Sequence, residues 1–541
     1  MSISPTARKI LIALALTLVI INGMRVFYVP SGYSRVFSHV PDSVENTLAM
    51  KGLLEGRGYT LRLNGVDHPP RYQPWFSLLF VAPALVFAKG NVLCAWYGCF
   101  AAGIVALLAA FLLGRKLGGS ACGMMLAAAL GVSADFARYA NVAMTEVPCT
   151  MLLVFAALAW LKLCERKETR VRDHLVFGAL CALAGALRST SLVLPVLVLP
   201  PLWKRRPKPK TTLAALAAAW LPAMAVAAAN AVYNKLVFGG FFRSGYHFWD
   251  PLHYDYFNMT FNGRYLIGNL RGYANNYDLL SLLLPALAAV GCWYFLRRRD
   301  REKAREWVCF AVFVAAVAAV TVGVYLPYFS FQERFFVPVR ALVMLGSVSA
   351  AAMLAATFMR RRGEAVISLA ALAVAFAPWP DPYAEQLEHD ELRSAKIALL
   401  KTMHETLPEN AVLLTIFQQG AAEYFFVGDT KRRIVPFFRC YEYAQMVTAK
   451  HRMPPPPGGF RDMEMSAANR HIAAHGGEWA YPLVYDEAPA EIDGLIRSGV
   501  PVYVSDYTLL IHRPARELRR RYDLVPAGRS GIFAFYRLMP H

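Results

Sequence analysis

Two carboxylates three residues apart, Asp42 and Glu45, open the chemistry of this chain. They stand in Asp42-Ser43-Val44-Glu45, just after the first apolar run, Ile10 to Gly23, and ahead of Glu55-Gly56-Arg57-Gly58-Tyr59 and His68-Pro69-Pro70-Arg71-Tyr72. At i and i+3 they share one face if the segment is helical. A charged, Gly- and Pro-punctuated segment this close to a membrane helix belongs at the bilayer surface. Carboxylates held there suit two tasks on a substrate whose tail stays in lipid. One is general-base work on an acceptor hydroxyl; the other is holding a divalent cation at a substrate phosphate. A solvated pair or a helix N-cap is the plain alternative.

Further residues of the same kind follow. Arg71 sits in a rigid loop, because two prolines fix φ and restrict the residue before them; its guanidinium suits a phosphate. His68 and Tyr72 flank it, and a snorkelling Arg beside an interfacial Tyr is the competing account. Glu146 heads an apolar run in Met144-Thr145-Glu146-Val147-Pro148, where the helix dipole favours a carboxylate anyway. Arg138 lies in the same loop. Arg188 interrupts an apolar hairpin in Ala186-Leu187-Arg188-Ser189-Thr190, a costly position that points to a cavity or to an ion pair. Glu333-Arg334 is set among aromatics and is expected to pair across the mouth of a cavity. His247 stands among Tyr, Phe and Trp, residues that stack on sugars or anchor at the interface.

The elements that must position these groups are membrane spans. The chain has 541 residues, 56% hydrophobic and 17% charged, against about 25% charged in soluble domains. The net charge of +20 does not mark a nucleic-acid binder. Residues 381–541 hold 19 Lys/Arg against 20 Asp/Glu, so the excess lies in short loops such as Lys204-Arg205-Arg206, Arg297-Arg298-Arg299 and Arg360-Arg361-Arg362. That is the positive-inside signature, and no aromatic-basic motif accompanies it. The nine cysteines lie mostly in apolar runs and read as small core hydrophobes. The absence of CxxC argues against structural zinc or a disulfide framework.

Arg8-Lys9 place the N-terminus in the cytoplasm, ahead of an uncleaved first span over about 10–27. Residues 28–90 are then external, with Pro74 to Ala88 lying on or dipping into the outer face. Further spans are expected near 91–113, 120–136, 147–163, 174–187, 190–203, 211–231, 277–296, 307–326, 335–358 and 364–379, giving about 11 in all. Charge bias alone then puts Asp42, Glu146, Arg188, His247 and Glu333 on one side, opposite the basic loops. The expected fold class is mainly α: a polytopic helical bundle over 1–380, with an extracytoplasmic α/β domain over 381–541. In that tail Glu385 to Leu407 has helical spacing. Ala411 to Phe417, Arg433 to Phe437, Pro501 to Ser505 and Gly531 to Leu538 have strand character, and Pro454 to Gly459 is a loop.

The blocks, in this order and sidedness, resemble the GT-C glycosyltransferases of the protein O-mannosyltransferase and aminoarabinose-transferase type. Asp42-Ser43-Val44-Glu45 through Gly56-Arg57-Gly58-Tyr59 is similar to the family's first-loop block. Arg71-Tyr72-Gln73-Pro74-Trp75-Phe76 is similar to its Tyr-Pro-Pro-Gly-Phe block, Thr145-Glu146-Val147-Pro148 to its second-loop acidic motif, and Leu187-Arg188-Ser189-Thr190 to the Arg two spans later. Glu333-Arg334-Phe335-Phe336-Val337-Pro338 is similar to its Arg-aromatic-x-x-Pro block. Ser43 stands where the family has a second acid, and Gln73 with Trp75 where it has Pro and Gly. The tail beyond 380 resembles no named domain.

The resemblance implies transfer of a sugar from a polyprenyl-phosphate donor to a hydroxyl of a lipid, polysaccharide or protein, at the outer face of the inner membrane. It implies Asp42, with Glu45 and Glu146, as the catalytic acids. It implies His68, Arg71, Tyr72, Arg138, Arg188, His247, Glu333 and Arg334 as substrate-binding groups. No nucleotide-binding motif is present. A divalent cation, held by Asp42 and Glu146 if anywhere, is the one cofactor left open. The rivals are a lipid-linked-sugar flippase or carrier, disfavoured by spans almost free of charge, and an envelope assembly protein working through its tail.

Overall fold

The computed structural model describes residues 5–27, 41–63, 66–166, 168–205, 208–249, 256–276, 300–330, 332–359, 363–377, 398–415, 432–436, 488–509 and 514–541, with the single positions 254, 297 and 395. Among them six helices are long and apolar enough to cross a membrane: Lys9–Phe27, Val92–Gly118, Glu146–Glu165, Pro209–Phe238, Arg301–Tyr325 and Glu333–Met359. A seventh is formed if Ser120–Gly131 and Ala134–Ala140, bent by 67° at their break, make one crossing. The chain is an integral membrane protein, mainly helical, with a small sheet near its C-terminal end.

Two compact units divide the chain. The first is Met1–Tyr33, Trp96–Asn230 and Tyr265–Tyr383; the second is Ser34–Ala95, Ala231–Arg264 and Ala384–His541.

The first unit is a helical bundle. Its helices approach closely where side chains are smallest, since van der Waals packing drives association in lipid. A Cβ on Gly114 would come 2.7 Å from the Cα of Gly123 on the next helix, so neither position has room for a side chain. Val19, Phe111, Met124, Ala127, Ala128, Ala371 and Ala375 form one of its buried clusters, and the Asn22 amide donates to the Ala375 carbonyl. The expected spans near 174–187 and 190–203 take another form. Val171–Leu187 is α-helical, Ser189–Val198 is a 3₁₀ helix that accommodates Pro195, and Leu199–Arg205 returns to α. The tighter 3₁₀ winding suits a stretch where proline removes a backbone donor. Gly363–Phe376 has only 14 residues, short of the roughly 17–25 needed to span. Residues 277–296 lie outside the described set.

In the second unit Ser77–Phe87 is a short apolar helix, as expected for Pro74 to Ala88. The tail contributes a five-stranded sheet in the order β4-β3-β5-β7-β6. Its strands are β3 (Val412–Thr415), β4 (Arg433–Pro436), β5 (Val502–Ser505), β6 (Tyr522–Ser530) and β7 (Phe533–Pro540). β4, β3 and β5 run parallel; β7 is antiparallel to β5 and to β6. Val412, Leu414, Val502, Val504 and Leu538 pack with Ile492 and Leu518 beneath it. The sequence pattern misses β6, because Pro526 and Gly528 argue against a strand. Both sit at a register shift on an edge strand, where a missing N–H costs no ladder bond. Of the expected helix 385–407, only 395 and 398–407 are described; 398–406 is helical. Residues 416–417, 437 and 454–459 lie outside the described set.

Candidate active site

In the second unit the helix Pro41–Leu54 begins at the acidic motif. Asp42 lies in its first turn with Glu45 one turn on, so the pair shares a face. The short antiparallel hairpin of β1 (Leu61–Leu63) and β2 (Val66–His68) ends in Pro69-Pro70 and delivers Arg71 to that face. The Arg71 guanidinium donates through Nε to Glu45 Oε2 at 2.7 Å and through an Nη to Asp42 Oδ1 at 2.8 Å. Its backbone N–H donates to Glu45 Oε1. Asp42 and Glu45 are buried, with 6% and 8% exposure, and Arg71 is half-buried at 15%. Burial pushes the Glu45 carboxyl up from its ordinary range, and the Arg71 charge pulls it back. Burial works against the charged form of Arg71 too, but the carboxylates, Glu45 foremost, outweigh it and raise its pKa. Two carboxylates thus share one guanidinium, leaving one net negative charge. His68 is buried at the end of β2, and burial lowers its pKa despite Asp67 beside it, which favours a neutral imidazole.

Aromatic rings border this triad. The Arg71 guanidinium lies 5.3 Å from the Tyr72 ring centroid. Tyr72 meets Tyr246 edge-on at 5.6 Å, Tyr246 meets Tyr254 at 4.7 Å, and His247 lies 5.9 Å from Tyr254. Tyr246 and His247 belong to the helix Gly245–Trp249, and His247 Nδ1 accepts the Ser244 N–H at 3.1 Å. Gly245 permits the approach: a Cβ there would overlap the Pro70 carbonyl oxygen and the Arg71 Cα. Gly245→Val must therefore displace Arg71 from its carboxylates. A shift of about 1 Å at a reacting group costs on the order of 10²-fold in rate, so the variant is expected to insert normally and to lose about that much of whatever reaction the triad serves. Activity close to wild type would show that the contact does not set the geometry.

The first unit gathers a second set. Glu146 occupies the first turn of Glu146–Glu165, and Arg188 is the extended residue between Val171–Leu187 and Ser189–Val198. An Arg188 Nη donates to Glu146 Oε1 at 2.6 Å; the guanidinium also donates to the Phe335 carbonyl at 3.0 Å and the Arg334 carbonyl at 3.3 Å. The side chains of Arg188 and Glu146 are 9% and 1% exposed. Glu146 Oε2 and Arg188 Nε are buried without a hydrogen-bond partner among the described residues. A buried polar atom left this way costs about 1–3 kcal/mol, so the pair retains capacity to donate to and accept from a polar ligand.

Glu333 and Arg334 do not pair. In the 3₁₀ turn Glu333–Phe336, neighbours i and i+1 point to different sides. Glu333 is exposed, while Arg334 donates to Gln332 and lies 5.6 Å from the Phe335 ring. Arg138 is half-buried in the helix Ala134–Ala140. Sequence reasoning missed Asp135 on that helix and its ion pair with Arg340, which also donates to the Glu333 carbonyl at 3.1 Å. An arginine inside the apolar run after Pro338 was the available signal. Tyr325, stacked on Phe335 at 4.2 Å, was also missed; an aromatic at a helix end carries no distinguishing pattern.

Among the described residues no three His, Cys, Asp or Glu side chains are grouped to hold a metal ion. At Asp42 and Glu45 one of the two negative charges is already met by Arg71, which takes three of the four carboxylate oxygens. As Arg71 holds it, the Asp42 and Glu45 pair does not fit a divalent cation.

Across nearly its whole length the chain superimposes on a solved membrane protein. The crystal structure of ArnT from Cupriavidus metallidurans bound to undecaprenyl phosphate matches with a TM-score of 0.55 at 12% identity, covering 99% of this chain and 98% of that one. This is the GT-C fold. The apo state of the same ArnT gives a TM-score of 0.56 at 11% identity, with 98% of each chain covered. The archaeal oligosaccharyltransferase AglB from Archaeoglobus fulgidus, in complex with an inhibitory peptide and a dolichol-phosphate, matches at 0.47 and 10% identity over 82% of this chain and 69% of that one. No family model matches the sequence, and no curated protein matches it. With identities this low the GT-C assignment rests on the course of the backbone, and it extends through the C-terminal sheet.

Proposed function

We propose that this protein is a membrane glycosyltransferase that moves a sugar from a polyprenyl-phosphate donor to an acceptor hydroxyl at the outer face of the inner membrane. The observation that carries the proposal is the buried Asp42–Arg71–Glu45 triad at a helix start, in a chain of GT-C fold. In the reaction the acceptor oxygen attacks the anomeric carbon and its proton passes to a carboxylate. The bond between that carbon and the phosphate oxygen breaks, and its electron pair leaves on the polyprenyl phosphate. Asp42 is the general base; Glu45 clamps Arg71, which holds Asp42 in place by its own contact with it. Arg188, with hydrogen-bonding capacity unused beside Glu146, meets the phosphate that gains charge as the bond breaks. Arg138 and Arg334 add positive charge on the same unit, and the Tyr72 and His247 rings border the sugar. Glu333 makes its contact with the acceptor from the surface. The tail, residues 381–541, is an extracytoplasmic domain of the same enzyme, and the N-terminus is cytoplasmic.

Envelope glycans and glycolipids from cells with and without the protein, compared by mass spectrometry, test this reading. One species is expected to lose a fixed sugar mass when the protein is absent, with its polyprenyl-phosphate donor accumulating. Identical profiles would sink it. A flippase would instead leave the donor trapped on the cytoplasmic face.

A further inference from the structure

Hydrogen bonds from separate segments converge on the first turn of the helix that carries Asp42 and Glu45. Asn46 follows Glu45, about 100° further round the helix. Its Nδ2 donates to the Asp42 carbonyl at 2.9 Å. The Ser77 hydroxyl donates to the Asn46 carbonyl at 3.1 Å and lies 3.3 Å from Asn46 Oδ1. The Tyr59 hydroxyl lies 2.9 Å from Ser77 Oγ. Ser77 and Asn46 are buried, and Tyr59 is half-buried. Thr47 braces the same turn one residue on, its hydroxyl donating to the Ser43 carbonyl at 2.7 Å.

The direction of each bond follows from the groups themselves. Both Asn46 oxygens can only accept, so the one Ser77 proton goes to Asn46. Tyr59 must then give its own proton to Ser77 Oγ. The Asn46 amide is fixed as well: turned over, it would set an oxygen against the Asp42 carbonyl. Donation therefore runs one way, from Tyr59 through Ser77 and Asn46 to the Asp42 backbone. Local structure brings the three together. A Cβ on Gly52 would come 2.7 Å from the Thr60 carbonyl oxygen, so a glycine there lets the segment carrying Tyr59 lie against the helix. Ser77 opens its own helix with a π turn, Ser77–Val81, before Ala82–Phe87 winds as α. Pro83 has no N–H to give the Leu79 carbonyl, and the wider turn falls just ahead of it. Single π turns are frequent at functional sites.

We infer that Tyr59, Ser77 and Asn46 are positioning residues for Asp42, an inference that rests on the reading of Asp42 as the general base. Arg71 holds the Asp42 carboxylate; the relay holds its backbone. Helix ends fray, and Asp42 stands in a first turn. A base must stay within hydrogen-bond reach of the proton it takes, so both ends of the residue need fixing. Asn46 is specific for the task. Aspartate there has no donor for the Asp42 carbonyl, and alanine offers neither donor nor acceptor.

The test uses the full-length protein in complemented cells, with the sugar increment on envelope glycans followed over time and normalised to inserted protein. Asn46→Asp and Ser77→Ala are each expected to slow the increment by about 10²-fold, the cost of misplacing a reacting group by about 1 Å. Tyr59→Phe removes one oxygen and keeps the ring; it is expected to slow the increment by about tenfold, and it carries the test should another variant fail to insert. Each substitution is then repeated on Asp42→Asn. A residue that acts through the Asp42 carboxylate has nothing left to position, so no further loss is expected. The same fold-loss in both backgrounds would overturn the inference and leave the relay a purely structural role. Wild-type rates in all three single variants, beside a slow Asp42→Asn, would also overturn it while the glycosyltransferase reading stands. An increment that is absent even with the wild-type protein would overturn both.

Discussion

Asp42→Asn is expected to cut sugar transfer by about 10²–10⁴-fold, the usual contribution of a general base, in a protein that still inserts and folds. The amide keeps an oxygen for the Arg71 contact seen at 2.8 Å, and the Nε and backbone bonds from Arg71 to Glu45 remain. Only the negative charge is removed, so loss of folding is not the explanation for loss of rate. The sugar increment on envelope glycans, measured over time in complemented cells, reads the effect. Turnover near wild type would remove Asp42 from the chemistry. The pH dependence separates its role from that of Glu45. Burial raises the Glu45 carboxyl above the ordinary glutamate range, so its proton comes off at higher pH than usual. Below that point Glu45 is neutral, its hold on Arg71 weakens, and the rate falls; above it the rate reaches its plateau. The acid limb of the wild-type profile should accordingly lie above the range of a free glutamate, and Glu45→Gln should remove that titration and lower the plateau.

Arg188→Ala has the second large effect. It leaves the Glu146 carboxylate, 1% exposed, without its cation, and breaking a buried pair from one side costs about 3–5 kcal/mol. It also takes away donors to the carbonyls of Arg334 and Phe335, loosening the turn that carries Arg334. The variant is expected to melt earlier and to lose binding of undecaprenyl phosphate, measured by native mass spectrometry in detergent. Arg188→Ala with Glu146→Ala separates the two losses. Removing both charges should restore most of the stability, because the uncompensated carboxylate is gone, and none of the lipid binding. Recovery of binding in the double variant would show that Arg188 serves the fold alone.

Much of the site was legible because ionisable residues are rare in this chain. With 17% charged residues, each charge inside or beside an apolar run stands out, and lipid makes such a placement expensive. Asp42, Glu45, Arg71, Glu146 and Arg188 stand out as candidates on that ground. Contacts with short sequence separation were then within reach: Asp42 and Glu45 share a face because a helix repeats every 3.6 residues. The partners were not. Whether Arg71 meets a phosphate or two carboxylates depends on where the hairpin of β1 and β2 delivers it, and nothing in its neighbours fixes that. The expected Glu333–Arg334 pair failed for a local reason, the divergence of adjacent side chains in a 3₁₀ turn. Arg340 was passed over although it met the same criterion as Arg188.

By itself the sequence determined that this chain is a membrane protein and which few charges stand out against its apolar runs. Those follow from composition and order, because transfer of a residue between water and lipid is governed mainly by its own chemistry. Tertiary structure alone decided that Arg71 is enclosed by Asp42 and Glu45, that Gly245 lies against the Arg71 backbone, and that Arg188 closes on Glu146. Each of these joins segments distant along the chain. Their meeting is set by packing in three dimensions, which no local pattern encodes.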